Sequence, residues 1–182
     1  LITLKKGETM SKETRHPAQR VAVFIDVQNL YHSARQLLGG RLDFKAVLEE
    51  AVAGRQLVRA FAYVVTTPED QPERIPFFDF LSHIGIEPRI KELRIYADGH
   101  KRADWDVGIT VDAIRLAPAV DTLVLLTGDG DFLPLVEHLQ GLGKRVEILA
   151  FSQTTSEELK RRVDGFYDLG KDPERFLYKP MI

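Results

Sequence analysis

The segment VAVFID (21–26) is five apolar residues closed by an aspartate, and a second such run, LVLLTGD (123–129), ends the same way. Runs this short and this apolar are strands buried on both faces, which requires helices packed against each side of a sheet. The intervening sequence supplies them. VQNLYHSARQLLGG (27–40) reads as a helix with Leu30, Ala34, Leu37 and Leu38 on one side and Gly39-Gly40 as its stop. A second helix is expected at 43–53, with Asp43 as its cap before Phe44, Val47, Leu48 and Ala51. LVRAFAYVV (57–65) is the second strand. The stretch from Pro68 to Pro76 reads as a loop, and IPFFDFLSHIG (75–85) as a helix. PRIKELRIY (88–96) is a more polar strand at or near a sheet edge, and Asp98-Gly99 marks a hairpin turn.

The second half repeats the alternation. WDVGITVDAIRLA (105–117) is helical and ends at Pro118. After the second strand-aspartate run, FLPLVEHLQGLG (132–143) is a helix and RVEILAF (145–151) the last clear strand. TTSEELKRRVDGF (154–166) is a final helix opened by a capping-box signature. Strands alternating with helices imply an α/β fold, a mostly parallel sheet covered on both faces. With 182 residues the chain is one domain with tails. The expected divisions are a tail at 1–18, a domain at 19–170 and an extension at 171–182. Met10 reads as a natural start.

Composition removes several function classes. There is no cysteine, hence no disulfide scaffold, thiol nucleophile or cysteine-ligated metal. No run approaches the roughly 18 apolar residues of a membrane helix, and no export signal precedes the domain, so a cytoplasmic location is the default expectation. The net charge of −2 conceals an asymmetry: residues 1–20 carry five Lys/Arg against two Glu, which leaves −5 on the remainder.

Part of that acidity sits where parallel sheets bind ligands, at the carboxyl ends of the strands. Asp26 closes the first run, with Asn29 three residues on. Asp129 and Asp131 follow the second run, and Asp106 opens the 105–117 helix between Asp104 and Asp112. Each has a plain structural reading. Asp26 and Asp131 suit helix caps, and Asp104 is the favoured cap of the 105–117 helix. Asp106 suits the positive end of a helix. Asp112 lies about 120° around the helix from Asp106 and fits a supporting role. Taken together, carboxylates clustered on one rim repel one another unless a cation joins them. Mg²⁺ and Mn²⁺ are the hard cations that oxygen ligands suit, and phosphoryl chemistry is what they promote. Gln28 stands where a haloacid-dehalogenase-type phosphatase needs a second aspartate. No Walker A loop is present. A Toprim-like domain would end its first strand in Glu rather than Asp26.

VFIDVQNLY (23–31), KRADWDVGITVDAIRLA (101–117) and LVLLTGDGDFLPLVEHLQGLGKRVEIL (123–149), in this order, resemble the NYN domain family, the LabA-like bacterial branch of the PIN-like nucleases. SEELKRRVDGFYDL (156–169) resembles its closing segment. The resemblance implies a three-layer α/β/α, Rossmann-like domain with about five strands in the order 3-2-1-4-5. It further implies a Mg²⁺- or Mn²⁺-dependent ribonuclease, or a regulatory RNA-binding module of the same fold. On this basis Asp26, Asp106, Asp129 and Asp131 are metal ligands. Asn29 orients a ligand or phosphate, and Thr127 bonds a water or phosphate oxygen.

An acidic rim needs basic surroundings to attract RNA. Arg89, Lys91, Arg94, Lys101 and Arg102 form the densest basic region, interleaved with Tyr96 and His100, and Tyr31 is placed to stack on a base. Arg94, Lys101, Arg102 and Tyr31 are the expected RNA contacts; the alternative is a solvated edge strand. Trp105 fits a packing anchor better than a stacking platform. His32 and His138 read as surface or packing residues. A polar edge strand and an exposed last helix leave room for a homodimer.

Overall fold

The computed structural model describes residues 15–67, 71–95, 101–102 and 104–178. In chain order the first half runs β1 (Arg20–Asp26), α1 (Val27–Leu38), β2 (Arg41–Leu42), α2 (Phe44–Val52), β3 (Gln56–Thr66), α3 (Gln71–His83) and β4 (Glu87–Glu92). A two-strand hairpin, β5 (Arg94–Ile95) and β6 (Lys101–Arg102), leads to α4 (Asp106–Leu116). Then come β7 (Thr122–Leu126), α5 (Leu133–Gly141), β8 (Arg145–Ala150), α6 (Glu157–Arg162), β9 (Gly165–Asp168), α7 (Pro173–Phe176) and β10 (Leu177–Tyr178).

The main sheet has six strands in the order β4-β3-β1-β7-β8-β9, all paired in parallel. This is the expected three-layer architecture and the expected order, extended by a sixth strand beyond β8. The two aspartate-ended runs are its central pair: Val21–Ile25 of β1 are at most 1% exposed, and β7 is fully buried. Each Val, Leu, Ile or Phe side chain among them contributes about 1.5–3 kcal/mol by leaving water, so the strands that lead to Asp26 and Asp129 are firmly seated. The strand order reverses between β1 and β7. That reversal opens a crevice beyond the carboxyl ends of both strands.

Three element boundaries differ from expectation, the first being the strand read at 88–96, which is divided into β4 of the main sheet and β5 of the hairpin. Helix α3 begins at Gln71, inside the stretch read as a loop, because Pro72 falls in the first turn, where a missing N–H costs nothing; the exposed Pro76 is accommodated within it. The final helix spans only Glu157–Arg162. Ser156 caps it by accepting the Leu159 N–H, and Val163 leaves it in an extended conformation. Asp164 then clamps the chain to β8: its N–H donates to the Val146 carbonyl and its carboxylate accepts the Val146 N–H. The following residues become β9 instead of more helix.

Both ends of the described chain pack onto the domain. The Arg15 side chain is buried against Glu50 and Glu147. β10 pairs antiparallel with β2, burying Phe176 and Leu177, and Arg175 bonds Glu50.

Candidate metal centre

Asp26 occupies the junction of β1 and α1. Its extended backbone ends the strand, and its Oδ1 caps the helix by accepting the Asn29 N–H at 3.1 Å. Its Oδ2 accepts the Thr127 hydroxyl at 3.3 Å, so the ends of the two central strands are tied together. The same hydroxyl oxygen accepts the Asp129 N–H at 3.3 Å. Asn29 uses its Oδ1 to accept the Gly128 N–H at 2.9 Å. Asn29 and Thr127 therefore fix the loop after β7 from two sides.

That loop is compact for a definite reason. A Cβ on Gly128 would lie 2.8 Å from the Thr154 carbonyl oxygen, and one on Gly130 would lie 3.0 Å from Oγ of Ser156. Glycine at both positions lets the segment 154–156 close over the turn. Asp129 is the cap of the 3-10 turn Gly130–Phe132, accepting the Asp131 N–H at 2.9 Å. Of the two readings for Asp131, cap or metal ligand, the cap does not hold: α5 begins at Leu133 without a side-chain cap, and Asp131 stays exposed.

Asp106 reaches the same place from α4. The preceding Trp105 donates its indole N–H to the Val64 carbonyl at 3.0 Å and meets the Tyr63 ring edge-on at 5.3 Å. The Lys91 ammonium lies 4.4 Å above the indole. A Cβ on Gly108 would come within 2.5 Å of that ring, which accounts for a glycine inside the helix. Trp105 is thus a packing anchor that sets where α4 starts. Asp104 does not cap α4; the residue in that position is Trp105, with no side-chain bond, and the Asp104 carbonyl instead accepts Lys91 Nζ at 2.6 Å. Asp112 accepts the Tyr63 hydroxyl at 3.0 Å and lies 3.9 Å from Arg89. It supports the packing beside the centre and is not one of the grouped carboxylates.

Asp106, Asp129 and Asp131 converge, offering carboxylate oxygens that all lie within 4.8 Å of one another. Asp26 stands beside this group with its own oxygens engaged by Asn29 and Thr127. Burial pushes the Asp26 carboxyl up to about 6; the charges of Asp106 and Asp129 add to the rise, against the bonds from Asn29 and Thr127. Asp106 is also raised, by partial burial and by the charges of Asp104, Asp129 and Asp131, with Lys91 opposing. An all-oxygen group under mutual repulsion is matched to a hard divalent cation and unsuited to a soft one.

The expected RNA contacts are placed unevenly. Tyr31 is 42% exposed on α1. Arg94 lies on β5 and Lys101 and Arg102 on β6, paired in the register Arg94↔Arg102 and Ile95↔Lys101, so the expected hairpin forms just ahead of α4. Tyr96 and His100 lie outside the described residues. His32 and His138 are exposed. The roles of Asn29, Gly128 and Gly130 as loop anchors had no signal in residue type alone, since each depends on a contact made across the sheet.

The fold and site define a three-layer α/β domain with carboxylates gathered at the strand reversal of a parallel sheet. The chain belongs to the NYN domain family, whose profile matches residues 20–170. It is 28% identical to the low amplitude and bright protein LabA of Synechococcus elongatus, over 90% of this chain and 95% of that protein. An uncharacterised protein of Methanocaldococcus jannaschii is 30% identical over 48% of this chain and 33% of its own length. Among solved structures, a protein of unknown function from Vibrio parahaemolyticus matches with a TM-score of 0.80 and 33% identity, covering 89% of this chain and 98% of that one. Among the described residues no helix is long and apolar enough to cross a membrane.

Proposed function

We propose that this protein is a Mg²⁺- or Mn²⁺-dependent ribonuclease that hydrolyses RNA phosphodiester bonds. The observation that carries the reading is the convergence of Asp106, Asp129 and Asp131 within 4.8 Å at the strand reversal of an NYN domain. The donor set fits such an ion: it is entirely carboxylate oxygen, and Asp26 and Asp106 are both raised by burial and like charge. Asp106, Asp129 and Asp131 would hold the cation, with Asp26 as the adjoining fourth carboxylate.

A bound divalent ion supplies positive charge at the scissile phosphate and a readily ionised water. The chain's own contribution is preorganisation. Thr127 holds Asp26 and the Asp129 backbone in fixed relation, Asn29 pins Gly128, and Trp105 fixes the start of α4 and with it Asp106. The basic positions Arg94, Lys101 and Arg102 on the hairpin ahead of Asp106, together with Tyr31, are the proposed RNA contacts.

The test is cleavage of labelled RNA in Mn²⁺ or Mg²⁺ by the purified protein, beside Asp106→Asn and Asp129→Asn. The reading predicts cleavage that chelator abolishes and either substitution removes. RNA bound tightly but never cut would replace the nuclease by the RNA-binding module. Cleavage unchanged in both variants would exclude this centre.

A further inference from the structure

On α1, Asn29 and Ser33 face the loop after β7 and the segment after β8: Asn29 holds Gly128, and the Ser33 oxygen accepts the Thr154 hydroxyl. Gln28, Tyr31 and His32 face the other way, into a groove of about 740 Å³ bounded by α1, β2, the end of β3, α3 and β10. That volume lies within the range of about 300–1,000 Å³ common for ligand sites. Val27 and Gln28 follow directly on Asp26, and Val64 and Val65 line the groove from the strand end beside it. The first turn of α1 therefore separates the groove from the acidic centre.

The lining is unlike the rest of the molecule. Five of its thirteen residues are Phe or Tyr, against 9% aromatic content in the whole chain. None is Asp or Glu, although the chain has 27 of them, whereas Arg41 and Arg74 both line it. Among the described residues neither arginine is in an ion pair. Tyr31, Phe80 and Tyr178 are 42%, 39% and 54% exposed. Asp43 adjoins the groove and is occupied by the Ala46 N–H and the Tyr178 hydroxyl. Exposed aromatic faces beside guanidinium groups that are in no ion pair among the described residues match the two halves of a nucleotide, a flat base and an anionic phosphate.

We infer that this groove binds unpaired bases of an RNA strand whose backbone crosses the first turn of α1 to the acidic centre. The inference rests on the ribonuclease reading and narrows it: bases must leave a duplex to stack on Phe80 and Tyr31, so the substrate is single-stranded there.

The test needs no cleavage. In chelator, fluorescence anisotropy compares a short labelled single-stranded RNA, an abasic ribose-phosphate strand of equal length and the corresponding duplex. The intact single strand should bind more tightly than either other probe. Phe80→Ala and Tyr31→Ala should each weaken its binding about fivefold or more, the lower range for loss of one stacking face, and leave the abasic strand unaffected. Arg74→Gln, at a residue that supports no described ion pair, should weaken both strands and lower the slope of log affinity against log salt by about one. Equal binding of intact and abasic strands would overturn the groove even if metal-dependent cleavage is observed. Base-dependent binding lost in Phe80→Ala would uphold it even if no cleavage is found. A wild-type dimer that Phe80→Ala dissociates, with RNA binding unchanged, would make the groove an interface between copies and overturn the proposal.

Discussion

At the amino end of the sheet Glu147 is fully buried, and Arg55 grips it through hydrogen bonds of 2.9 and 3.1 Å. Arg145 adds a bond of 2.7 Å and Arg15 stands 3.5 Å away. At the carboxyl end Asp106, Asp129 and Asp131 share one small space, and Asp26 adjoins them. Burial alone would raise both Glu147 and Asp26. At Glu147 the bonds from Arg55 and Arg145 and the charges of Arg55 and Arg15 overcome it and hold the carboxyl below its usual range. At Asp26 neighbouring carboxylates reinforce burial, and the group rises to about 6. One end uses charge to fasten the fold. The other keeps charge uncompensated, an arrangement that stability does not select and that binding a cation would.

Substitutions should therefore separate the two ends. The largest effect is expected from the acidic centre: Asp129→Asn or Asp106→Asn should reduce metal-dependent RNA cleavage about a hundredfold or more, while urea denaturation in chelator shows stability equal to or above wild type. Loss of stability in both variants would erase the contrast. Glu147→Gln should do the reverse. It strands guanidinium groups in the interior at a cost of about 3–5 kcal/mol, read as a lowered denaturation midpoint, without moving Mn²⁺ affinity.

The pH dependence sharpens the contrast further. Asp26 is raised in the fold to about 6 from a free value near 3.9, so the folded state binds the extra proton and the metal-free stability that Asp26 contributes should fall by roughly 2–3 kcal/mol as pH rises from about 4 to about 6. Asp26→Asn should remove that share of the slope and leave the smaller one from Asp106. Glu147 is lowered, so its contribution is present above its free value of about 4.3 and disappears as pH drops through the folded one; Glu147→Gln should flatten only that acid limb. A smaller effect is expected at the loop. Gly128→Ala must displace the segment carrying Thr154, at about 1–3 kcal/mol, and should lower Mn²⁺ affinity although it removes no carboxylate.

Much of this was legible in the residues because the responsible interactions are local. Short apolar runs gave β1, β3, β7 and β8. Asp26 and Asp43 announce helix starts, and both act as caps. Parallel strands end on one rim, so the nearness of Asp26 to Asp129 was readable from topology; that Asp131 and the helix residue Asp106 complete the group of three, with Asp26 beside it, depends on side-chain placement. What escaped depends on contacts between distant segments. β9 exists because Asp164 bonds β8, which helix-forming residues at 157–162 conceal. The pattern places Asp104 at a helix start, yet Trp105 takes the position because its indole is held by Val64. The pairing of Asp112 with Tyr63 joins a helix to a strand far away in sequence. The groove is assembled from α1, α3 and the last described strand, so no single stretch carries its signature.

Asp106, Asp129 and Asp131 should together hold one hard cation. Anomalous diffraction from crystals equilibrated with Mn²⁺ tests it most directly. A manganese peak ligated by oxygens of these three aspartates is expected in the wild type and should be lost in Asp129→Asn. Wild-type crystals with no peak among the three carboxylates, or with manganese bound elsewhere while RNA is still cut, would contradict it.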